Sequence, residues 1–228
     1  MRTLALAFLL QSAALFAQSV TAIVQGTVTN ATNHQPVAGA LVTAVRAGLP
    51  PASQTATTAS NGSFQVQHLP AGVYSLCVQV PGDTYLALCQ WSPASAAKVP
   101  LAAGQTSTGN ALKIDKGSVL QVRIDDPGNL LGKKTKDGRN PHLLVGIWAS
   151  NGSFYPLHVG SKDTAGSNFQ VTIPRDTPLK LQVASKDLKM ANANGVAIAA
   201  TGDQQPFQHN TNDPNPKSFK YTITGLRP

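Results

Sequence analysis

Two cysteines, five histidines, one adjacent carboxylate pair and a basic run are the groups in this 228-residue chain that could do chemistry. The histidines (His34, His68, His142, His158 and His209) form no HxH or HExxH spacing, the patterns that bring two imidazoles within about 2.0–2.2 Å of one ion. Tyr155 and His158 come nearest to a mixed iron site. Three residues apart on a strand they point to opposite faces, so no metal is expected there. There is no GxSxG elbow to raise a nucleophilic serine. Asp125-Asp126, followed by Pro127-Gly128, reads as a turn rather than acid–base machinery. Asp213-Pro214-Asn215 reads as an Asx turn rather than a calcium loop. The expectation is a protein that is not an enzyme and holds no cofactor.

Binding chemistry has more support. Trp91, Trp148 and Tyr155 are amphipathic aromatics, and an exposed ring can stack on the face of a sugar. Trp148 alternates with Val145 and Ile147 in "LLVGIWAS", which suits a core or sheet-face residue. Trp91 follows Cys89 at a strand end, and packing over a disulfide is its alternative role. Lys133, Lys134, Lys136 and Arg139 crowd one loop, "KKTKDGR". They could meet phosphate or carboxylate groups of envelope polymers, or they could be a solvated loop. Nucleic acid is disfavoured, because no aromatics interleave with these charges.

Residues 1–17, "MRTLALAFLLQSAALFA", read as a secretory signal. Arg2 precedes an apolar run too short for a membrane span, with cleavage expected after Ala17 or, failing that, after Ala22. No later stretch approaches a transmembrane length. An exported chain with an even cysteine count favours a Cys77–Cys89 disulfide over two separate thiols. A tight turn at Pro81-Gly82 would keep the sulfurs apart. A five-residue loop over 81–85 would place the two residues opposite each other on a hairpin, within bridging distance. The net charge is +8, and all ten acidic residues are Asp. The lack of Glu argues against long surface helices, and the Val, Thr, Ala, Gly and Asn content suits an all-β protein.

The elements follow from period-two alternation. Residues 59–80, "ASNGSFQVQHLPAGVYSLCVQV", predict a short strand at 64–67, a turn at Pro70-Ala71-Gly72, and a strand at 73–80. In the second strand Tyr74, Leu76, Val78 and Val80 share one face, and the pair is expected as a hairpin. "VTAIVQGTVT" is a first strand, broken or bulged at Gly26. "VAGALVTAVRA" is apolar on both faces and therefore central. In the second half, Leu120, Val122 and Ile124 alternate inward, and two strands flank Asn151-Gly152. "FQVTIPRDTPLKLQV" echoes "FQVQHLPAGVYSLCV", either by chance or as part of a second sandwich. Residues 185–216 read as a long decorated loop with a short strand at Val196 to Ala200.

The run "GTVTN…QPVAGALVTAV…TTASNGSFQVQHLPAGVYSLCVQVPG" resembles the carboxypeptidase regulatory-like domain. The likeness rests on Gly26, Pro36, Gly39-Ala40, the Asn61-Gly62-Phe64 turn and Leu69-Pro70-Ala71-Gly72-Tyr74. It covers residues 20–114. It implies a seven-stranded, transthyretin-like (prealbumin-like) Greek-key sandwich of the carbohydrate-binding-like class. Carbohydrate as a ligand is implied by the resemblance alone. Hydrolases on the transthyretin-like scaffold end in Tyr-Arg-Gly-Ser, whereas this chain ends "YTITGLRP". The expected organisation is a leader at 1–17, a regulatory-like sandwich at 20–114, and a second β-sandwich-like domain at 115–228. The expected function is a periplasmic, cell-envelope or extracellular module that binds carbohydrate or an envelope protein, with a structural spacer or assembly unit as the alternative.

Overall fold

The computed structural model describes residues 21–82, 84–91 and 96–228; the expected leader at 1–17 lies outside them. The first seven strands are β1 (Ala22–Asn30), β2 (Leu41–Arg46), β3 (Ala52–Thr57), β4 (Ser63–Leu69), β5 (Gly72–Gln79), β6 (Lys98–Leu101) and β7 (Thr106–Ile114). They form two sheets, β4-β1-β7 and β3-β2-β5-β6. Alternation explains the packing. Val24, Val28, Phe64, Val66, Leu112 and Ile114 line the inner face of one sheet. Val42, Ala44, Tyr74, Leu76, Val78, Val99 and Leu101 line the other, and all are buried in one cluster. β1 runs antiparallel to β4 and parallel to β7. Its register slips between Val24 and Gly26. A Cβ at Gly26 would sit 1.9 Å from the Asn110 carbonyl oxygen, so glycine is what lets β7 approach there.

The hairpin expected around Pro70-Ala71-Gly72 does not form. β4 pairs with β1, while β5 pairs with β2 and β6 in the opposite sheet. Phe64 and Tyr74 both point inward, which two neighbours facing each other across a sandwich satisfy as well as a hairpin would. The Tyr74 hydroxyl donates to the Pro70 carbonyl at 2.8 Å and fixes the corner between the sheets. β2 is an inner strand as expected, but only Val42 and Ala44 are buried. Val45 on its other face is exposed.

The cysteines do pair: Cys77 and Cys89 form a disulfide with Cα atoms 5.2 Å apart. Its setting differs from the expected hairpin, because Cys89 lies on a single helical turn, α1 (Leu88–Trp91). The Ala87 carbonyl accepts from the Gln90 and Trp91 amides, which closes the turn before a strand could start. The bridge therefore ties α1 to the outer face of β5.

The remaining strands are β8 (Ser118–Asp125), β9 (Leu144–Ala149), β10 (Phe154–Pro156), β11 (Val159–Asp163), β12 (Gly166–Ile173), β13 (Leu179–Ala184), β14 (Leu188–Asn192), β15 (Ala197–Ile198), β16 (Asp203–Phe207) and β17 (Lys217–Leu226). Their sheets are β10-β9-β13-β16 and β11-β12-β8-β17-β14-β15, closed over a second core that includes Leu120, Val122, Ile124, Ile147, Leu181 and Tyr221. The arrangement repeats the first sandwich strand for strand. β8, β9, β10, β12, β13, β16 and β17 occupy the places of β1 to β7, down to the parallel pairing of first and last strands. β11 and the β14–β15 pair are additions. The echo of "FQVQHLPAGVYSLCV" in "FQVTIPRDTPLKLQV" thus marks equivalent sheet-to-sheet crossings, β4 to β5 and β12 to β13.

Residues 185–216, expected as a decorated loop with one short strand at Val196 to Ala200, hold that strand as β15 and two more, β14 and β16. Their Asn, Gln and Pro content hides the pattern, but Leu188, Met190, Ile198 and Phe207 are inward and buried. Pro206 is tolerated because β16 is an edge strand. No helix among the described residues is long and apolar enough to cross a membrane.

Candidate functional site

Two of the aromatics singled out in the sequence meet where the sandwiches join. α1, anchored by the disulfide, carries Trp91 against the second core. The Trp91 and Tyr155 ring centroids lie 4.8 Å apart with planes tilted by 53°. The Tyr155 hydroxyl donates to the Gln90 carbonyl at 2.7 Å. Each ring is half-buried against the other.

The connection between β7 and β8 is pinned as well. The Leu86 amide donates to the Asp115 carbonyl at 2.9 Å and the Gly117 amide to the Thr84 carbonyl at 2.6 Å. The Lys116 ammonium sits 5.1 Å from the centre of the Tyr85 ring, and Asn30 Nδ2 donates to the Tyr85 hydroxyl at 3.2 Å. A Cβ at Gly117 would lie 2.4 Å from the Ile173 carbonyl oxygen, so the passage admits only glycine without rearrangement. A shallow groove of about 300 Å³ opens beside this seam, between Gln79, Tyr85 and Trp91 on one side and Val171 and Thr172 on the other. Tyr85 and Lys116 were not legible as joint residues, because nothing in their local pattern marks them.

The basic loop lies elsewhere, at the end of the second sandwich. Asp126 is buried and caps the 3-10 turn Leu130–Gly132, accepting from the Leu130 and Leu131 amides at 2.7 and 2.8 Å. Beyond it Lys133, Lys134, Lys136 and Arg139 are exposed. Lys134 donates to Asn140 at 2.8 Å, and Arg139 pairs with Asp137 at 3.0 Å. Lys136 shares a cleft of about 430 Å³ with Lys186, Lys189 and Arg227, a convergence that sequence spacing could not reveal.

Asp125, the other half of the carboxylate pair, points away from Asp126. It accepts from Arg123 at 2.7 Å and from Lys220 at 2.9 Å. Arg123 also grips Asp163 with two nitrogens, at 2.6 and 2.8 Å. The Arg123 hydrogen bonds hold the Asp163 carboxyl down at about 2, and Lys220 with Arg123 lowers that of Asp125. On the inner face of β17, burial pushes the Tyr221 hydroxyl up. Among the described residues no three His, Cys, Asp or Glu side chains gather as a metal site.

One aromatic surface was underweighted by the sequence pattern. Trp148 lies on the outer face of the β10-β9-β13-β16 sheet, its indole N–H donated to Gln182 Oε1. Phe154 lies 4.9 Å from it, ring to ring, over Gly146. A groove of about 760 Å³ opens beside Trp148.

Residues 23–112 match the model of the carboxypeptidase regulatory-like domain. No curated protein matches the chain. Among solved structures, the chain is similar to the Bacillus anthracis TIE protein, at 17% identity over 90% of this chain and 34% of that one, with a TM-score of 0.33. It is similar to a streptococcal ancillary pilin at 14% identity, covering 91% of this chain and 64% of that one, with a TM-score of 0.38. It is also similar to the shaft pilin SpaA of Lactobacillus rhamnosus GG, at 11% identity over 91% and 99% of the two chains, with a TM-score of 0.31. The chain spans about a third of the TIE protein and just under two thirds of the ancillary pilin.

Proposed function

We propose that the regulatory-like sandwich and its topological repeat act as one stiff, non-catalytic interaction module of the cell envelope, working as a spacer that sets the second sandwich at a fixed attitude. The observation that carries this reading is the seam. A disulfide-held helical turn delivers Trp91 and the Gln90 carbonyl to Tyr155, while backbone hydrogen bonds from residues 84–86 clamp the connection between β7 and β8. Interfaces between domains of one chain are commonly loose, so a joint fastened by a ring pair, a side-chain hydrogen bond and two backbone hydrogen bonds implies that relative orientation matters.

Export is supported by the leader-like residues 1–17 and by a disulfide, which persists in oxidising compartments. The non-catalytic reading is supported by how the ionisable groups are used. Arg123 and Lys220 neutralise Asp125 and Asp163, Asp126 caps a turn, and the Asp187 carboxylate accepts the His142 amide. In this reading Trp91 works at the joint rather than on a ligand, because it packs against the second core as well as against Tyr155.

The test is rotational diffusion by NMR relaxation together with small-angle scattering on the mature protein. The two sandwiches should tumble as one body, and Trp91→Ala should release them to reorient separately while each core stays folded. Independent tumbling of the unaltered protein would end the spacer reading.

A further inference from the structure

We propose that the outer face of the four-stranded sheet of the second sandwich is a binding site for a saccharide that carries a carboxylate. Backbone register places four side chains in a row across all four strands: Phe154 beside Trp148, Trp148 beside Lys180, and Lys180 beside Pro206. The outer face of an antiparallel sheet is ordinarily polar. Here the half-buried Trp148 and the exposed Pro206 border a groove beside the Lys180 ammonium, with Phe154 on the neighbouring strand packed against Trp148.

The repeat in topology sharpens the point. Tyr74, Leu76 and Val78 of β5 correspond to Leu179, Leu181 and Val183 of β13, so Cys77 corresponds to Gln182. In the first sandwich that position bonds to Cys89, and α1 sits over the outer face of the sheet. In the second sandwich no element of the described residues supplies such a cover. Gln182 instead accepts the indole N–H of Trp148, and Phe154 lies against the other strand neighbour, over Gly146. The Trp148 ring is therefore oriented in advance, with its own polar atom already satisfied. A ring fixed in this way offers a flat apolar surface to the C–H face of a sugar at little entropic cost.

The rest of the groove suits the same ligand. Gln204, Gln208 and Ser150 border it with amide and hydroxyl groups, and its volume of about 760 Å³ lies in the range of small-molecule sites. Lys180 is exposed, and no Asp lines the groove to neutralise it. Charge complementarity therefore selects a sugar acid over a neutral one.

The experiment is calorimetric titration of the mature protein with trimers of galacturonate and mannuronate and with a hyaluronan tetrasaccharide, xylotriose serving as the neutral comparison. At least one acidic oligomer should bind. Trp148→Ala should weaken it by about tenfold or more, as truncation of a buried-face aromatic anchor does. Trp148→Phe, which keeps a flat ring, should lose much less, so a folding defect and a lost platform are told apart. Lys180→Gln should reduce affinity several-fold and flatten its dependence on salt. Failure of all three acidic oligomers to bind, equal binding of xylotriose, unaltered binding by Trp148→Ala, or occupation of the groove by a proline-rich peptide instead would each overturn the proposal. The tumbling experiment does not involve this face, so the two readings stand or fall separately.

Discussion

Arg123 shows how a single side chain can organise a face of this protein. It bonds Asp125 on its own strand and Asp163 on β11, and Lys220 joins from β17, so four charges from three strands tie the outer surface of the six-stranded sheet. Both carboxyls titrate lower in the folded state than in the unfolded chain, Asp163 at about 2 against an ordinary 3.8. The stabilisation is then fully present above the ordinary carboxylate range and is lost as pH falls toward about 2. Thermal unfolding of the native protein and of Arg123→Gln should differ most near neutrality. The gap should close between about pH 4 and pH 2, and a gap that persists undiminished would assign it to packing instead. Alternation turns Arg123 outward once Leu120, Val122 and Ile124 face the core, but Asp125 reads as a turn residue, and Asp163 belongs to an added strand whose partner no local pattern announces. Trp91 and Tyr155 illustrate the same limit. Their amphipathic character was readable, but only the joining of two sandwiches brings each to the other.

At the scale of elements, strand positions were largely legible because burial here recurs every second residue. Strand partners were not. β4 and β5 read as a hairpin, and the alternation is the same whether neighbours share a sheet or face each other across the core. The Tyr74-to-Pro70 hydrogen bond, which decides for the crossing, is visible only in three dimensions. α1 shows the reverse case. The bridge was predictable from the compartment, while the four-residue helix that carries Cys89 was too short to leave a periodic signal. That helix has a measurable duty. Replacing both cysteines by serine should cost about 3 kcal/mol by the loop-entropy model, and it should also free α1. In a Trp148→Phe background, where Trp91 is the sole tryptophan, its emission should move to the red as the ring leaves Tyr155. Loss of stability with unshifted emission would show that the joint holds α1 without the bridge.

At the scale of the whole molecule, the second half could be read as strands but not as a copy of the first. The insertions β11 and β14–β15 break the spacing that a repeat search depends on, and the low-complexity stretch 185–216 masks β14 and β16 behind Asn, Gln and Pro. The structure restores the correspondence through strand order alone. In both sandwiches the opening strand lies parallel to the closing one, β1 beside β7 and β8 beside β17. Tension applied across either unit from its first strand to its last would drag those two neighbours lengthwise past each other. Every inter-strand hydrogen bond between them would then have to fail together rather than one after another, as happens when an antiparallel pair is peeled from one end. Single-molecule stretching through residues flanking β1 and β7 should therefore give higher rupture forces than stretching the same sandwich across β5 and β6. Equal forces in the two geometries would deny the fold this resistance to being torn open.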